Sequence, residues 1–488
     1  MDGIYKVLLT ILLANLVFGV ILWLRVRKLC SFPGFLGVPV IGNLFYFYKT
    51  LFLITADSLE NHLKEVTEKH GKNGFCFHIS YGYKITAIIT NPEIIKKISF
   101  HPNLIDKSYE MYGGFLDYMR GPFSRPRSDE KWKMWRKEYN IFLKRSCVDN
   151  DYFNTYITSA ETLVNMMLDS TSAYGASIAL TQNVTMRTLF GVETDLVYNK
   201  EIIKVLTRLI EMGAMLGANT NIARAIAPIV RPIAEKVSGK AVVIRKTIFQ
   251  KIYKTIVSKK EPLSEPRLAM NVAAKSIESN ESKRTLLQLM QEVLFTSAHT
   301  VASALSNTII LLAVQPDMQE RAFKEQCEIF GNDSRDPTID DVERMEFLGR
   351  FIKECLRFLG PPFSGRKATA DINLDGTIIP KGSIVVYLFN SITMDSKYWQ
   401  NPNVFEPDRF LEESDLMKYT FTPFGVGVRS CPGMYFATTL IKITLSKILR
   451  TVKLRPVDKD FRFESLKYRS SLLTEIANHP KLHVERRA

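Results

Sequence analysis

One cysteine in this chain sits where chemistry is possible. Residues Phe424-Gly425-Val426-Gly427-Val428-Arg429-Ser430-Cys431-Pro432-Gly433 combine a bulky apolar residue, backbone-permissive glycines, an arginine and a thiol within ten positions. Glycine permits a bound group to approach the main chain closely. A thiol beside a cation can persist as thiolate, the form that ligates soft metals. Cys431 is therefore a candidate axial ligand of a heme iron. Taken alone, the stretch reads equally as a buried cysteine in a Gly-rich turn, the commoner fate of a lone cysteine.

Further groups with chemical potential lie far away in sequence. Lys131 to Phe142 is amphipathic and carries Trp132 and Arg136, four apart and so on one helical face. An indole N–H and a guanidinium there could both grip a carboxylate. Thr285 to Val314 predicts a long apolar helix whose middle, Phe295-Thr296-Ser297-Ala298-His299-Thr300, is small and polar. Hydroxyls in mid-helix can bond back to carbonyls and loosen the ladder, which suits a functional opening; a crossing helix at close range would use the same residues. Ile339 to Leu359 is helical and sets Glu354 and Arg357 three apart, suited to an ion pair, and Pro361-Pro362 ends it.

The elements that must position these groups are mostly helical. Phe75 to Thr90 reads as a hairpin, Pro92 to Ile98 as a helix, and Ile202 to Ile248 as helical segments broken near Gly213–Gly217 and Pro228–Pro232. Lys259 to Ser279 reads as a loop. Strand-like runs cover Arg366 to Ile372 and Ser383 to Tyr387, with turn chemistry at Asp375-Gly376. Phe405-Glu406-Pro407-Asp408-Arg409-Phe410 is irregular, Tyr435 to Leu454 is an apolar helix, and Tyr468 to Glu485 suggests a terminal hairpin.

The chain has 488 residues, 46% hydrophobic and 24% charged, a globular balance without repeats or low-complexity runs. Its six cysteines are scattered, with neither zinc-site spacing nor a disulfide framework, so a reducing compartment suits the folded part. The formal charge of +15 is spread along the chain. It favours anionic lipid or an acidic protein partner; zinc-finger and RNA-binding signatures are missing, so nucleic acid ranks last. Val7 to Leu24 is free of charge and long enough to span a bilayer. Arg25-Val26-Arg27-Lys28 follows it in place of a cleavage site, which implies an uncleaved anchor with the bulk of the chain cytosolic. A Pro/Gly-rich hinge, residues 29–44, comes next. The expected division is an anchor over 1–28, the hinge over 29–44 and one catalytic domain over 45–488.

In this order and spacing the features resemble the cytochrome P450 family over nearly the whole chain: anchor and hinge, Trp132-x-x-x-Arg136, the helix with Thr300, Glu354-x-x-Arg357 followed by Phe405 to Phe410, and Phe424-x-x-Gly427-x-Arg429-x-Cys431-x-Gly433. The His299-Thr300 helix and the form of the cysteine loop are similar to membrane-bound fungal members related to ent-kaurene oxidase. The resemblance implies a mostly α fold with a small β-rich lobe behind one transmembrane helix. It implies a heme b held by Cys431 in the loop of Phe424 and Gly427, with loop amides on the sulfur and Trp132, Arg136, Arg366 and Arg429 on the propionates. Glu354, Arg357 and Arg409 would form a buried structural network. Thr300 would be the hydroxyl that assists proton delivery during oxygen activation. His299 stands where many relatives have an acid; it could shuttle protons itself or point away and leave the relay to water.

The implied activity is insertion of one oxygen atom from O2 into an apolar substrate, a terpenoid or indole-terpenoid of secondary metabolism. Implied partners are NADPH-cytochrome reductase, with cytochrome b5 as a second donor, and the lipid of the endoplasmic reticulum. Substrate-facing candidates are residues 111–123, 212–215, 296–300 and 361–364. The rival readings are isomerase or dehydratase chemistry at the same heme, against which Thr300 argues, and a heme-binding membrane protein without catalysis.

Overall fold

In a computed structural model the residues described are 34–35, 56–80, 84–108, 125–169, 172–191, 280–412, 414–470 and 473–487, with six positions of the N-terminal run. Most of the expected anchor and hinge, the segments 202–248 and 259–279 and the substrate-facing candidates 111–123 and 212–215 lie outside the described residues. Within the N-terminal run the six positions are helical, and Leu13, Val17, Ile21 and Leu24 expose apolar side chains at helical spacing.

A five-stranded mixed sheet forms the β-rich lobe. Strands β1 (Gly34–Phe35), β2 (Phe75–Ser80), β3 (Lys84–Ile89), β7 (Ile384–Tyr387) and β4 (Ser364–Lys367) lie in that order. Helix α1 (Ala56–His70) precedes β2, and α2 (Pro92–Ile98) follows β3. Pro92 begins α2 where its missing N–H costs nothing, and Asn91 caps the first turn through the amide of Glu93. Strands β5 (Ile372–Leu374) and β6 (Thr377–Ile379) form a small hairpin. Its turn residues Asp375 and Gly376 both take positive φ, as the Asp-Gly signal requires.

The helical part is built on α3 (Glu130–Phe142), α4 (Phe153–Asp169), α5 (Ala173–Leu189), α6 (Asn280–Val314), α7 (Pro316–Phe330), α8 (Glu346–Phe358) and α9 (Met434–Thr451). In α3 the buried residues Trp132, Trp135, Tyr139 and Phe142 recur at spacings of three and four. That stripe turns one face of the helix to the core. Helix α6 runs through the middle, packed on α5, α8 and α9. Among the described residues its segment Glu292–Val314 is the one helix long and apolar enough to cross a membrane, and it is buried in the core.

Three expectations change. Ile339–Leu359 is not one helix: Met345, at φ −74° and ψ 71°, separates the turn Ile339–Arg344 from α8. The carboxylate of Glu325 on α7 accepts from the amides of Phe347 and Leu348, so α8 starts on a cap brought from another helix. The helix after Cys431 ends at Thr451 and the chain continues as β8 (Val452–Pro456). The tail is two structures: β9 (Tyr468–Ser470) pairs with β10 (Thr474–Ile476), whereas β11 (Leu482–Arg486) pairs with β8. Alternation in the tail identifies strands, but the partner of β11 is remote in sequence.

Candidate functional site

The cysteine loop closes on itself before it meets anything else. The amide of Cys431 donates to the carbonyl of Phe424 at 2.8 Å. Gly425 and Gly427 take φ of 71° and 72°, the left-handed region. At Gly427 a side chain is also sterically barred: a Cβ there would lie 2.0 Å from the carbonyl oxygen of Ser99, at the end of α2. The glycine thus lets the loop press on the β-rich lobe. Gly433 stands at the N-terminus of α9, where its backbone favours the charged form of the Cys431 thiol. Burial raises the Cys431 thiol pKa, opposed by the Gly433 backbone and by the charges of Arg136 and Lys107.

Around the loop lies a group of cations. Arg136 Nη1 donates to the carbonyl of Ser430 at 2.6 Å. The Arg429 guanidinium lies 3.9 Å from the ring centre of Trp132 and donates to the hydroxyl of Ser128 from Nε and Nη2, at 3.1 and 2.7 Å. Arg366, on β4, donates to Ser364 Oγ at 2.8 Å and to the carbonyl of Gly365. Lys107, unforeseen in the sequence, joins them through an isolated bridge with Arg366. Burial first, then Arg429 and Arg366, lowers Lys107 to about 7. Burial, then Arg366, lowers Arg429 to about 9. Lys107 and Cys431 both keep accessible surface. Nothing in the local sequence Asp106-Lys107-Ser108 signals the place of Lys107, because a pairing more than 250 residues away creates it.

Helix α6 borders the same region, since Glu292 acts on Lys107. Glu292, Thr296 and Thr300 form one stripe at intervals of four, spanning about 12 Å at 1.5 Å per residue. Thr296 Oγ1 donates to the carbonyl of Glu292, and Thr300 Oγ1 to that of Thr296 at 2.6 Å. The helix nevertheless continues without interruption through this patch. Ser297 meets Thr185 of α5, hydroxyl to hydroxyl, at 2.8 Å. Part of the small polar patch therefore serves a crossing helix. His299 is buried at 3% exposure, with Nδ1 3.3 Å from the Tyr174 hydroxyl and Nε2 3.3 Å from Glu475 Oε1.

Glu354, Arg357 and Arg409 converge behind the loop. Arg357 donates to both carboxylate oxygens of Glu354, at 2.7 and 2.8 Å, and Arg409 Nε donates at 3.0 Å. The amide of Glu406 adds a fourth bond at 2.8 Å. Carbonyls of Thr393 and Pro402 take the remaining Arg357 donors, which ties α8 to the segment before the cysteine loop. Among the described residues no group of three or more His, Cys, Asp or Glu could hold a metal ion.

The loop thus sets a cysteine sulfur beside Arg136, Arg366, Arg429 and Lys107. The family model for cytochrome P450 matches residues 32–479, and the chain belongs to that family. It is 25% identical over 456 residues to human cytochrome P450 3A5, covering 88% of this chain and 86% of that one. To cytochrome P450 3A31 of Mesocricetus auratus it is 26% identical, covering 87% and 85%. To the Drosophila melanogaster protein described as "Probable cytochrome P450 313a2" it is 28% identical, covering 96% and 98%. These are animal proteins, and the fungal, ent-kaurene-oxidase-like likeness has no counterpart among them.

Members of this family bind heme b and act as monooxygenases supplied with electrons by a redox partner, and the chain is an enzyme of that class. The residues present fit the group. Arg429 Nη1 is buried with no hydrogen-bond partner, and burial first, then the neighbouring cations, lowers both Lys107 and Arg429. Two propionates would add counter-charge here and give the free Arg429 donor a partner.

Proposed function

We propose that the chain holds heme through the Cys431 thiolate and oxidises an apolar substrate with O2 and electrons from NADPH-cytochrome reductase. What supports the reading is the gathering of Arg136, Arg366, Arg429 and Lys107 around the cysteine loop, with Nη1 of Arg429 buried and unbonded. Trp132, Arg136, Arg366 and Arg429, joined by Lys107, would bind the two propionates. Phe424 and Gly427 shape the loop. Heme, when bound, supplies the oxidising chemistry.

The protein's own residues orient substrate, exclude water and manage protons. Thr300 Oγ1 already donates to the Thr296 carbonyl, so its lone pairs are what it offers to a protonated group or water beside it. Glu354, Arg357 and Arg409 act structurally. The proposed substrate class is terpenoid or indole-terpenoid, which rests on the sequence likeness alone. Residues 1–28 would anchor the chain in the endoplasmic reticulum with domain 45–488 cytosolic, supported by the exposed apolar stripe Leu13, Val17, Ile21 and Leu24. Lipid and cytochrome b5 are then accessible partners. The test is expression with a reductase, followed by mass spectrometry of products from a panel of terpenoids and other apolar compounds. A product gaining one oxygen atom, labelled from 18O2 and dependent on NADPH, is expected; no labelled product and no substrate-dependent NADPH use would overturn the proposal.

A further inference from the structure

Thr300 and His299 are sequence neighbours that face different parts of the molecule. Along α6, Glu292, Thr296 and Thr300 form one stripe, on the side that acts on Lys107. His299, Ser303 and Asn307 form the adjacent stripe, about 100° away around the helix. That second stripe is bonded throughout to the β9–β10 hairpin. Ser303 Oγ donates to Glu475 Oε1 at 2.8 Å. Asn307 Nδ2 donates to the carbonyl of Thr474 at 2.9 Å, and its Oδ1 accepts from the amide of Ile476 at 3.2 Å. His299 Nε2 faces the same Glu475 oxygen at 3.3 Å.

The partners are those of a neutral Nε2–H imidazole. A carboxylate only accepts, so Nε2 carries the hydrogen, and Nδ1 then accepts from the Tyr174 hydroxyl of α5. Burial, the largest influence, lowers the imidazole pKa and keeps it neutral. Arg469 also lowers it, while Glu475 opposes. Glu475, 4% exposed, has its other oxygen 3.1 Å from Arg469 Nη2, a countercharge from the partly exposed strand β9. The His479 ring lies against Tyr174 with centroids 5.3 Å apart. A neutral imidazole with its nitrogens turned to Tyr174 and Glu475 holds its hydrogen toward Glu475.

We propose that Glu475 is a positioning residue: through His299 and Ser303 it sets the rotation of α6 about its axis and thereby the direction of Thr300. The consequence for turnover rests on the role of Thr300 given under Proposed function, whereas the effect on the helix does not.

The test compares Glu475→Leu, which keeps bulk and removes both contacts, with Glu475→Gln, which keeps an oxygen for His299 Nε2–H and Ser303. Both are made in the full-length holoprotein. Amide hydrogen exchange over residues 299–304 should rise about tenfold in the leucine variant, the loss of roughly one buried hydrogen bond, and stay within about threefold of parent in the glutamine variant. In the presence of reductase, product per NADPH should fall in the leucine variant and be restored in the glutamine variant. Nitrogen-15 histidine spectra of the parent should show His299 as the neutral Nε2–H tautomer at pH 7, and Tyr174→Phe should shift its Nδ1 resonance. Unchanged exchange in the leucine variant, or a His299 that is cationic or Nδ1–H, overturns the proposal. If the leucine variant does not fold, the tautomer and the Tyr174→Phe shift decide it. A failure of the Thr300 reading is separate: Thr300→Ala would then couple like parent while the exchange and tautomer results stand.

Discussion

Replacing Glu354 with alanine should be among the most damaging single changes in the helical part. The carboxylate is fully buried and accepts four hydrogen bonds: two from Arg357, one from Arg409 and one from the amide of Glu406. Alanine leaves the Arg357 guanidinium, itself 1% exposed, without its counter-ion. Breaking a buried pair by removing one partner costs about 3–5 kcal/mol. Against a total stability of roughly 5–15 kcal/mol, that is about a fifth or more of the margin. The other partners should rank below it. Arg357→Ala leaves Glu354 with Arg409 and an amide, and Arg409→Ala removes a side chain that is 10% exposed and mainly bonds carbonyls. Glu354→Gln should fall between parent and Glu354→Ala, because its amide group would face the Arg357 Nε donor. The assay is guanidinium unfolding of detergent-solubilised holoprotein, followed by far-ultraviolet dichroism and by heme absorbance. A Glu354→Ala variant with the parent's midpoint, or one less damaging than Arg409→Ala, would refute the reasoning that the charge is uncompensated without Glu354.

Four further outcomes follow from the site. Cys431→Ala should lose the thiolate-type absorption of the carbon-monoxide-bound reduced heme, and an unchanged spectrum would remove Cys431 as ligand. Thr300→Ala should consume NADPH with less product and more peroxide, read by parallel NADPH and peroxide assays. Gly427→Ala should reduce heme content more than Gly425→Ala: both meet the left-handed backbone cost of about 1–2 kcal/mol, but only the former drives a Cβ into the Ser99 carbonyl. On pH, the lowered pKa of His299 means that its contribution to stability is present above its ordinary value of 6.5. It is lost as pH falls through the lower folded value, because the unfolded chain then binds the proton more readily. His479 shifts in the same direction. Replacing His299 with glutamine should therefore flatten, not abolish, the loss of unfolding free energy below pH 6.5, and a parallel curve would count against it.

Much of this was legible in the chain. Periodicity located α3, which carries its own buried stripe, and long apolar runs located α6 and the helix after Cys431. The cysteine loop was legible because its signature is local: positive φ requires the glycines, and the thiol must be singular. Lys107 and Glu475 were not. Each owes its environment to a partner remote in sequence, the β4 strand for Lys107 and α6 for Glu475, and neither has a local pattern. The two fates of His299 also could not be separated by spacing alone. Its direction depends on which neighbouring elements offer a hydroxyl and a carboxylate, and that is a property of packing.

The contact between Gly427 and Ser99 bears on how the protein is made. The candidate heme site draws on Ser99, Lys107, Ser128 and Arg136 from the first third of the chain and on Arg366 and the 424–433 loop from its last third, with the Arg136–Ser430 bond closing a separation of 294 residues. During synthesis at about 5–20 residues per second, the early half of the site must wait of the order of 15–60 s before its complement exists. A ribosome paused before Cys431 would hold a chain that has most of the cations but lacks α9 and, on the proposed reading, the heme ligand. Cofactor capture is therefore a late event, and the press of Gly427 on Ser99 is among the contacts that mark its completion.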